Sequence, residues 1–391
     1  MLPFARRCRD FGVSVHLIEV GDEAKGVRQP PSWIHRDPGP AMKWSEIGTS
    51  AGIERIQRFV ASSKADGLIS TDELTLNWLS SHRDLFEPRC RVMASPAKVL
   101  ETLLSKKAQV DIAERSGFHV LPTWYLERAG DGAEIPDSAF PICVRPTYPY
   151  SVTPEFKARV FSNGLQMASW LADFVSIRSP LVAQPFRVGP NIIVHAARDI
   201  EGKILAMKAY RTVRKFGGVA QSVEGFELSP ELQENCRRFA AIAGLVGSFH
   251  FDLLHSEAED RTYYLEVNPR MGGTTSKVIA LGYDEPAMSL AAFRMEPPSY
   301  DRLATSRQRV TSKRSLAIQI IATLRRGQPD ELRYPQESRT ATLLNSLREL
   351  AFVDDPGISI NDLAGSALRR LRPAVKSGTE SSFHERSAPQ R

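Results

Sequence analysis

Cysteine is scarce in this sequence: four among 391 residues, at Cys8, Cys90, Cys143 and Cys236, far from one another. No CxxC pair and no metal-ligand spacing joins them, which argues against a zinc ribbon or a disulfide-stapled scaffold. Each sits beside apolar neighbours, so buried reduced thiols and a cytoplasmic location are expected. No apolar run reaches membrane-spanning length and no charged-then-apolar leader opens the chain, so no membrane partner is expected. The GxGxxG of dinucleotide enzymes is missing, against an NAD-dependent dehydrogenase. Missing too are Ser-His-Asp and reactive-cysteine patterns, consistent with chemistry that needs no covalent nucleophile. No RNP, zinc or helix-turn-helix signature supports a nucleic-acid partner, and aromatics are not interleaved with the basic residues.

What is present is ordinary globular material, 42% hydrophobic and 25% charged, enough for two or three domains. The net charge of +6 grows toward "LRRLRPAVK" near the end. That excess fits an anionic small ligand, a nucleic acid or a solvated surface, and does not choose among them.

"FARRCRDFG" reads as a helix ended by Gly12, and "VSVHLIEV" as a strand. A doubly wound domain opens with a strand and a glycine turn before such a helix. The expectation is therefore a chain that starts one strand late and leaves "VSVHLIEV" with an open edge. Such an edge should reduce solubility relative to a form extended upstream, or be covered by homo-oligomerisation. After a proline-rich stretch, "GIERIQRFVASS" and "DELTLNWLSSH" read as helices, and "ADGLIS" and "CRVMA" as strands. This alternation predicts a parallel sheet with crossover helices, α/β in class, over residues 1–95. Two helices follow, then short strands and the helix "SPELQENCRRFAAIAGL" capped by Ser229, an α+β body over 96–297. Residues 298–373 read as mostly helical and basic, and 374–391 as a disordered tail.

"FHFDLL" (249–254) and "TYYLEVN" (262–268) predict a hairpin across the polar loop "HSEAEDR". Period-two alternation puts His250 and Asp252 on one face of the first strand, and Tyr264, Glu266 and Asn268 on the same face of the second. Asp252, Glu266 and Asn268 then offer two carboxylates and an amide oxygen, a hard donor set suited to Mg2+, or Mn2+ in its place. Gly272 and Gly273 let backbone amides approach an anion, "TTSKVIALG" starts a helix pointing at it, and Arg270 can hold a phosphate by two parallel bonds.

The run "LEVNPRMGGT" resembles the metal-binding strand and following loop of the ATP-grasp superfamily of carboxylate-amine (or thiol) ligases, and the resemblance spans roughly residues 13–297. It implies a Rossmann-like pre-grasp domain lacking its first strand, then an ATP-grasp domain of two α+β lobes over 96–297 with ATP between them, and a helical C-terminal extension. The Mg2+ ligands would be Asp252, Glu266 and Asn268, and Arg270 would lie near the transferred phosphoryl. Lys106, ahead of "GFHVLP", matches a nucleotide-binding lysine. Arg145 in "FPICVRP" stands where a phosphate-binding lysine is usual. "QPFRVGPN" resembles the adenine hinge, with Gln184 for a frequent Glu, the backbone of Phe186 and Arg187 along the base edge, and Asn191 for a ribose-binding Glu. The phosphate-covering loop reads "TYPYSVTPEF", with prolines in place of the usual glycines. The implied activity is ATP-dependent activation of a small carboxylate as an acylphosphate, attacked by an amine or similar nucleophile. The alternative is a degenerate grasp that binds nucleotide for regulation without chemistry.

Overall fold

The computed structural model describes residues 2–21, 41–127, 129–148, 152–153, 156, 158–172, 176–177, 180–295, 303, 305, 307–326 and 332–357. Half of the expected phosphate-covering loop and the whole expected tail at 374–391 lie outside the described residues. Residues up to Gly357 form one compact unit.

The chain opens with helix α1 (Leu2–Asp10), strands β1 (Glu19–Val20) and β2 (Ala41–Met42), helices α2 (Trp44–Ile47) and α3 (Ser50–Ser63), strand β3 (Gly67–Leu68), helix α4 (Glu73–Ser81) and strand β4 (Arg91–Val92). β1 pairs with β2 and β3 with β4, both in parallel, so the parallel alternation is present as two separate two-stranded sheets. Thr49 caps α3 by accepting from Gly52 N–H at 3.1 Å. Ile56, Phe59 and Val60 of that helix are buried, with Ile56 and Val60 packed beside Leu76, Leu79 and Val92. "VSVHLIEV" is shorter as a strand than expected, with only Glu19 and Val20 in a ladder.

Helices α5 (Ala97–Leu104) and α6 (Lys106–Arg115) lead into the rest of the body. Strand β5 (His119–Val120) is followed by β6 (Trp124–Leu126), β7 (Ile142–Pro146), β8 (Val152–Thr153), β9 (Arg159–Phe161), helix α7 (Gly164–Ala172), β10 (Ser176–Ile177) and β11 (Leu181–Pro185). Four of these make an antiparallel sheet in the order β6-β11-β7-β9. α7 buries Met167 and Leu171 beside Ile142, Val144 and Leu181 of this sheet.

The largest layer is built next, from β12 (Asn191–Arg198), β13 (Ile204–Phe216), β14 (Val219–Phe226), helix α8 (Pro230–Ala243), β15 (Gly247–Ser256), β16 (Arg261–Asn268), helices α9 (Thr275–Ala280) and α10 (Glu285–Ala292), strand β17 (Arg309–Thr311), and helices α11 (Lys313–Arg326) and α12 (Arg339–Phe352). Its seven strands run β17-β14-β13-β12-β15-β16-β5. Ser229 caps α8 by accepting from Leu232 N–H at 3.2 Å, and Gly244 closes the helix at φ 72°, a conformation glycine adopts without a Cβ penalty. α8 then lays Cys236, Phe239 and Ala240 against Phe249, Phe251 and Leu253 of β15. In the C-terminal region, expected to be mostly helical, β17 adds an edge strand to the large sheet before the helices α11 and α12. No described helix is long and apolar enough to cross a membrane.

Candidate active site

The hairpin β15–β16 sets Asp252 opposite Glu266, and His250 opposite Asn268. On the other side of β15, Ile193 opposes Asp252 and His195 opposes His250. One polar row therefore crosses three strands. The register then shifts: Leu253 opposes Tyr264, leaving Leu265 unpaired as a bulge. This corrects the simple alternation for Tyr264. It does not share the face of Glu266 but is buried among Phe118, Phe239 and Leu253. The outer edge of β16 is closed by Gln109 of α6. Its Oε1 accepts from Val267 N–H at 2.9 Å and from the Tyr264 hydroxyl at 2.8 Å, and its Nε2 donates to Val267 O at 3.2 Å.

Glu266 is the electrostatic centre. Lys106 Nζ donates to its Oε2 at 2.7 Å, and Arg145 Nη1 lies 3.9 Å from the same oxygen. The Lys106 charge, helped by Arg145 and opposed by burial, holds the Glu266 carboxyl down to about 2. Lys106 opens α6 behind the Ser105 cap, whereas the exposed Lys107 sits over the Tyr125 ring, so Lys106 is the residue that meets Glu266. Asn268 Nδ2 donates to Asp252 Oδ2 at 3.4 Å. Burial, and then the nearby Glu266 charge, push Asp252 up to about 7. About a quarter of each carboxylate side chain remains accessible. Among the described residues no group of three or more His, Cys, Asp or Glu side chains is arranged as a metal cage. Two carboxylates and an amide suit a cation that takes its remaining ligands from water and phosphate.

Arg145 on β7 donates through Nη2 to Gln184 Oε1 at 2.6 Å, and Gln184 Nε2 donates to Thr123 Oγ1 at 2.9 Å. Lys106, Glu266, Arg145 and Gln184 are thus linked in one chain of contacts across the two large layers. The other sequence candidates sit further out. Phe186 N–H donates to Pro141 O at 2.7 Å, so that donor is occupied. The Arg187 guanidinium meets Glu259 at 3.0 Å. Asn191 shares the strand face of Ile193 and His195, and its Oδ1 accepts from Lys215 Nζ at 2.7 Å. Arg270 turns toward the first region, donating to Glu73 Oε1 at 3.0 Å and to Met271 O at 3.1 Å.

Sequence reasoning missed what supports the loop after β16. His195 and His250 stack with centroids 5.3 Å apart. A Cβ on Gly272 would lie 3.2 Å from each ring, so a glycine lets the loop rest on the two imidazoles. His195 Nδ1 lies 2.8 Å from Glu285 Oε1, and its Nε2 lies 2.9 Å from Thr274 Oγ1. Glu285 is fully buried; burial raises its pKa, but His195 and the Thr275 hydroxyl outweigh that and hold it below the usual carboxylate range. His250 is pushed down to about 3, first by burial and then by His195. The spacing Asn191, Ile193, His195 was the available signal for His195; nothing in sequence links it to Glu285.

The overall arrangement of these layers is similar to that of a set of solved structures. The chain has the ATP-grasp fold. It superposes on N5-carboxyaminoimidazole ribonucleotide synthetase in an ADP complex with a TM-score of 0.59 and 11% identity, covering 89% of this chain and 92% of that one. L-amino acid ligase from Bacillus licheniformis gives a TM-score of 0.57 at 14% identity over 77% of this chain and 74% of that one. Biotin carboxylase from Campylobacter jejuni, in a β,γ-ATP complex, gives 0.55 at 15% identity over 78% and 69%. No protein-family model and no curated protein matches the sequence. At these identities the shared property is the ATP-grasp fold itself.

Proposed function

We propose that this protein is an ATP- and Mg2+-dependent ligase that joins a carboxylate to an amine or a similar nucleophile. The observation that carries the reading is the placement of Asp252, Glu266 and Asn268 on one polar face beside Lys106 and Arg145. Asp252, Glu266 and Asn268 would hold Mg2+, or Mn2+ in its place. A bound cation there neutralises charge on the nucleotide phosphates and orients them. Lys106 and Arg145 bind phosphate oxygens, exchanging their contacts with Glu266 for contacts with nucleotide. Gln184, the Phe186 carbonyl and the Arg187 backbone hold the base, and Asn191 the ribose. Arg270 meets the transferring phosphoryl.

The substrate carboxylate attacks the γ-phosphorus as its bond to ADP breaks, giving an acylphosphate. The nucleophile then attacks the acyl carbon and expels phosphate. The protein's share is positioning and charge stabilisation. In this reading residues 1–95 act as the pre-grasp domain and 96–297 as the grasp. ADP release measured across amino acids and small carboxylates, each with and without an added amine, tests it. Release that requires both partners is the expected result. Nucleotide binding with no substrate-dependent release under any pairing would make the protein a nucleotide-binding regulator instead.

A further inference from the structure

Three cations of the candidate site each meet a carboxylate. Lys106 and Arg145 share Glu266, whereas Arg270 meets Glu73 of the first region, 197 positions away. Arg270 Nη2 donates to Glu73 Oε1 at 3.0 Å, and its Nη1 donates to Met271 O at 3.1 Å. Its Nε is buried and has no hydrogen-bond partner among the described residues. A guanidinium does not shed its proton, and a buried donor left unmatched is costly. About a quarter of each of the two side chains remains accessible.

Glu73 is the first residue of α4, where the helix dipole favours a carboxylate. Asp72 caps that helix by accepting from Thr75 N–H at 2.8 Å, and Ser70 Oγ donates to Asp72 Oδ2 at 3.1 Å. Leu76 and Leu79 bury the same helix in the core of the first region. That region is fastened to the body by further contacts. Arg7 meets Asp284 at 2.6 Å, and Ser95 Oγ donates to Val246 O at 2.8 Å. Arg270 is held at its backbone too, where its carbonyl oxygen lies 3.1 Å from His250 Nδ1. Glu73 lines a small cavity of about 30 Å3 together with Lys106, Glu266 and Asn268. Its carboxylate therefore reaches the site on a braced helix and not on a loop.

We propose that Glu73 is a positioning residue for Arg270, holding Nη2 while Nε and the remaining N–H groups take oxygens of the transferring phosphoryl. The proposal rests on the ligase reading, in which Arg270 meets that phosphoryl. Glu73 differs from Glu266 in what it must give up. Glu266 is a candidate cation ligand, so Lys106 and Arg145 exchange it for nucleotide. Glu73 is no part of the cation's donor set, and Arg270 has a donor to spare, so this contact persists through the reaction. A guanidinium already tethered at one nitrogen loses less freedom when it meets an oxyanion. The first region thereby acts on phosphoryl transfer through a single side chain.

The test uses the full chain carrying Glu73→Ala, Glu73→Gln, Arg270→Ala, or Glu73→Ala with Arg270→Ala. Phenylglyoxal labelling of arginines, read by peptide mass spectrometry, follows the contact without any turnover. In Glu73→Ala, Arg270 should label roughly fivefold faster, the size of one net hydrogen bond. Arg211, which pairs with Glu224, should keep its rate. Unchanged labelling at Arg270 overturns the proposal. In ADP-release assays Glu73→Ala should lower kcat about 10- to 100-fold, the range for hydrogen bonds to charged groups, and leave the KM for ATP unchanged. Glu73→Gln keeps an acceptor oxygen and should recover part of that loss. Adding Glu73→Ala to Arg270→Ala should cost nothing more, because Glu73 acts through Arg270. A further loss of similar size in the double variant would mean a role in the frame alone, and overturns the proposal. Should Glu73→Ala fail to fold, Glu73→Gln carries the same two comparisons. Absence of ADP release from the unaltered chain counts against the ligase reading, whereas the labelling contrast still decides whether Glu73 holds Arg270.

Discussion

The large sheet and the first region were built from similar residues and ended differently. Phe249, Phe251 and Leu253 on β15 are wholly buried. Ile18 and Val20 on β1 are just as apolar but only partly buried. The difference lies in how each strand finds its neighbours. β12, β13 and β14 are successive antiparallel partners joined by short turns, and so are β15 and β16, so much of the sheet pairs with chain that is local in sequence. β1 and β3 are parallel and depend on crossovers; each has one two-residue ladder and no described partner opposite it. Antiparallel sheets secure their own burial; parallel ones inherit it from distant segments.

The sharpest way to break the comparison is at the site that the antiparallel sheet carries. Glu266→Ala should lower the proposed ligase turnover at least about 1,000-fold, the scale of losing a charge-stabilising group, with an unchanged far-ultraviolet circular dichroism spectrum. Full turnover in a folded variant would remove Glu266 from the chemistry. Next in size is a matched pair of truncations. Leu253→Ala should cost about 2–5 kcal/mol in urea unfolding, because the buried site cannot collapse, while Ile18→Ala should cost about 1 kcal/mol or less. Equal costs would mean that β1 is as well packed as β15.

A pH effect of intermediate size follows from Asp252. An acid raised to about 7 remains largely protonated below that value, and cation binding needs the carboxylate. Mg2+ affinity, followed by calorimetry, should therefore rise as pH increases through about 7 and level off above it. A flat profile between pH 6 and 8 would contradict the assignment. The smallest effect is expected at Arg145. Arg145→Ala should weaken ATP binding several-fold, and Arg145→Lys less, because a lysine keeps the charge and loses only the second nitrogen. Unchanged affinity in both would place Arg145 outside the nucleotide site.

Much of the site was legible because its signals are short-range. Glu266 and Asn268 are two apart on one strand, Asp252 lies across a single turn, and the glycines follow within five residues. Helix limits such as Ser229 and Gly244 announce themselves through local capping chemistry. The bulge that buries Tyr264 was not legible, since it is a property of two strands and of Gln109 arriving from a third element. The union of His195 with Glu285, ninety positions apart, is likewise a product of packing. β17 is three residues long and became a strand only because β14 offered an edge. Its sequence alone has too few residues to show a period.

Gln109 and Lys106 stand three residues apart on α6, hence on neighbouring positions of one face. By clasping both the N–H and the C=O of Val267, Gln109 works as a locating pin between helix and strand. The residue just before Val267 is Glu266, so the pin also sets where the Lys106 ammonium arrives. A slip of one residue along the helix would displace that ammonium by about 1.5 Å, more than a 2.7 Å contact tolerates. The extra residue in β16 thus acts as a shim. It adjusts the height at which a helix outside the sheet delivers its charge to a carboxylate inside it.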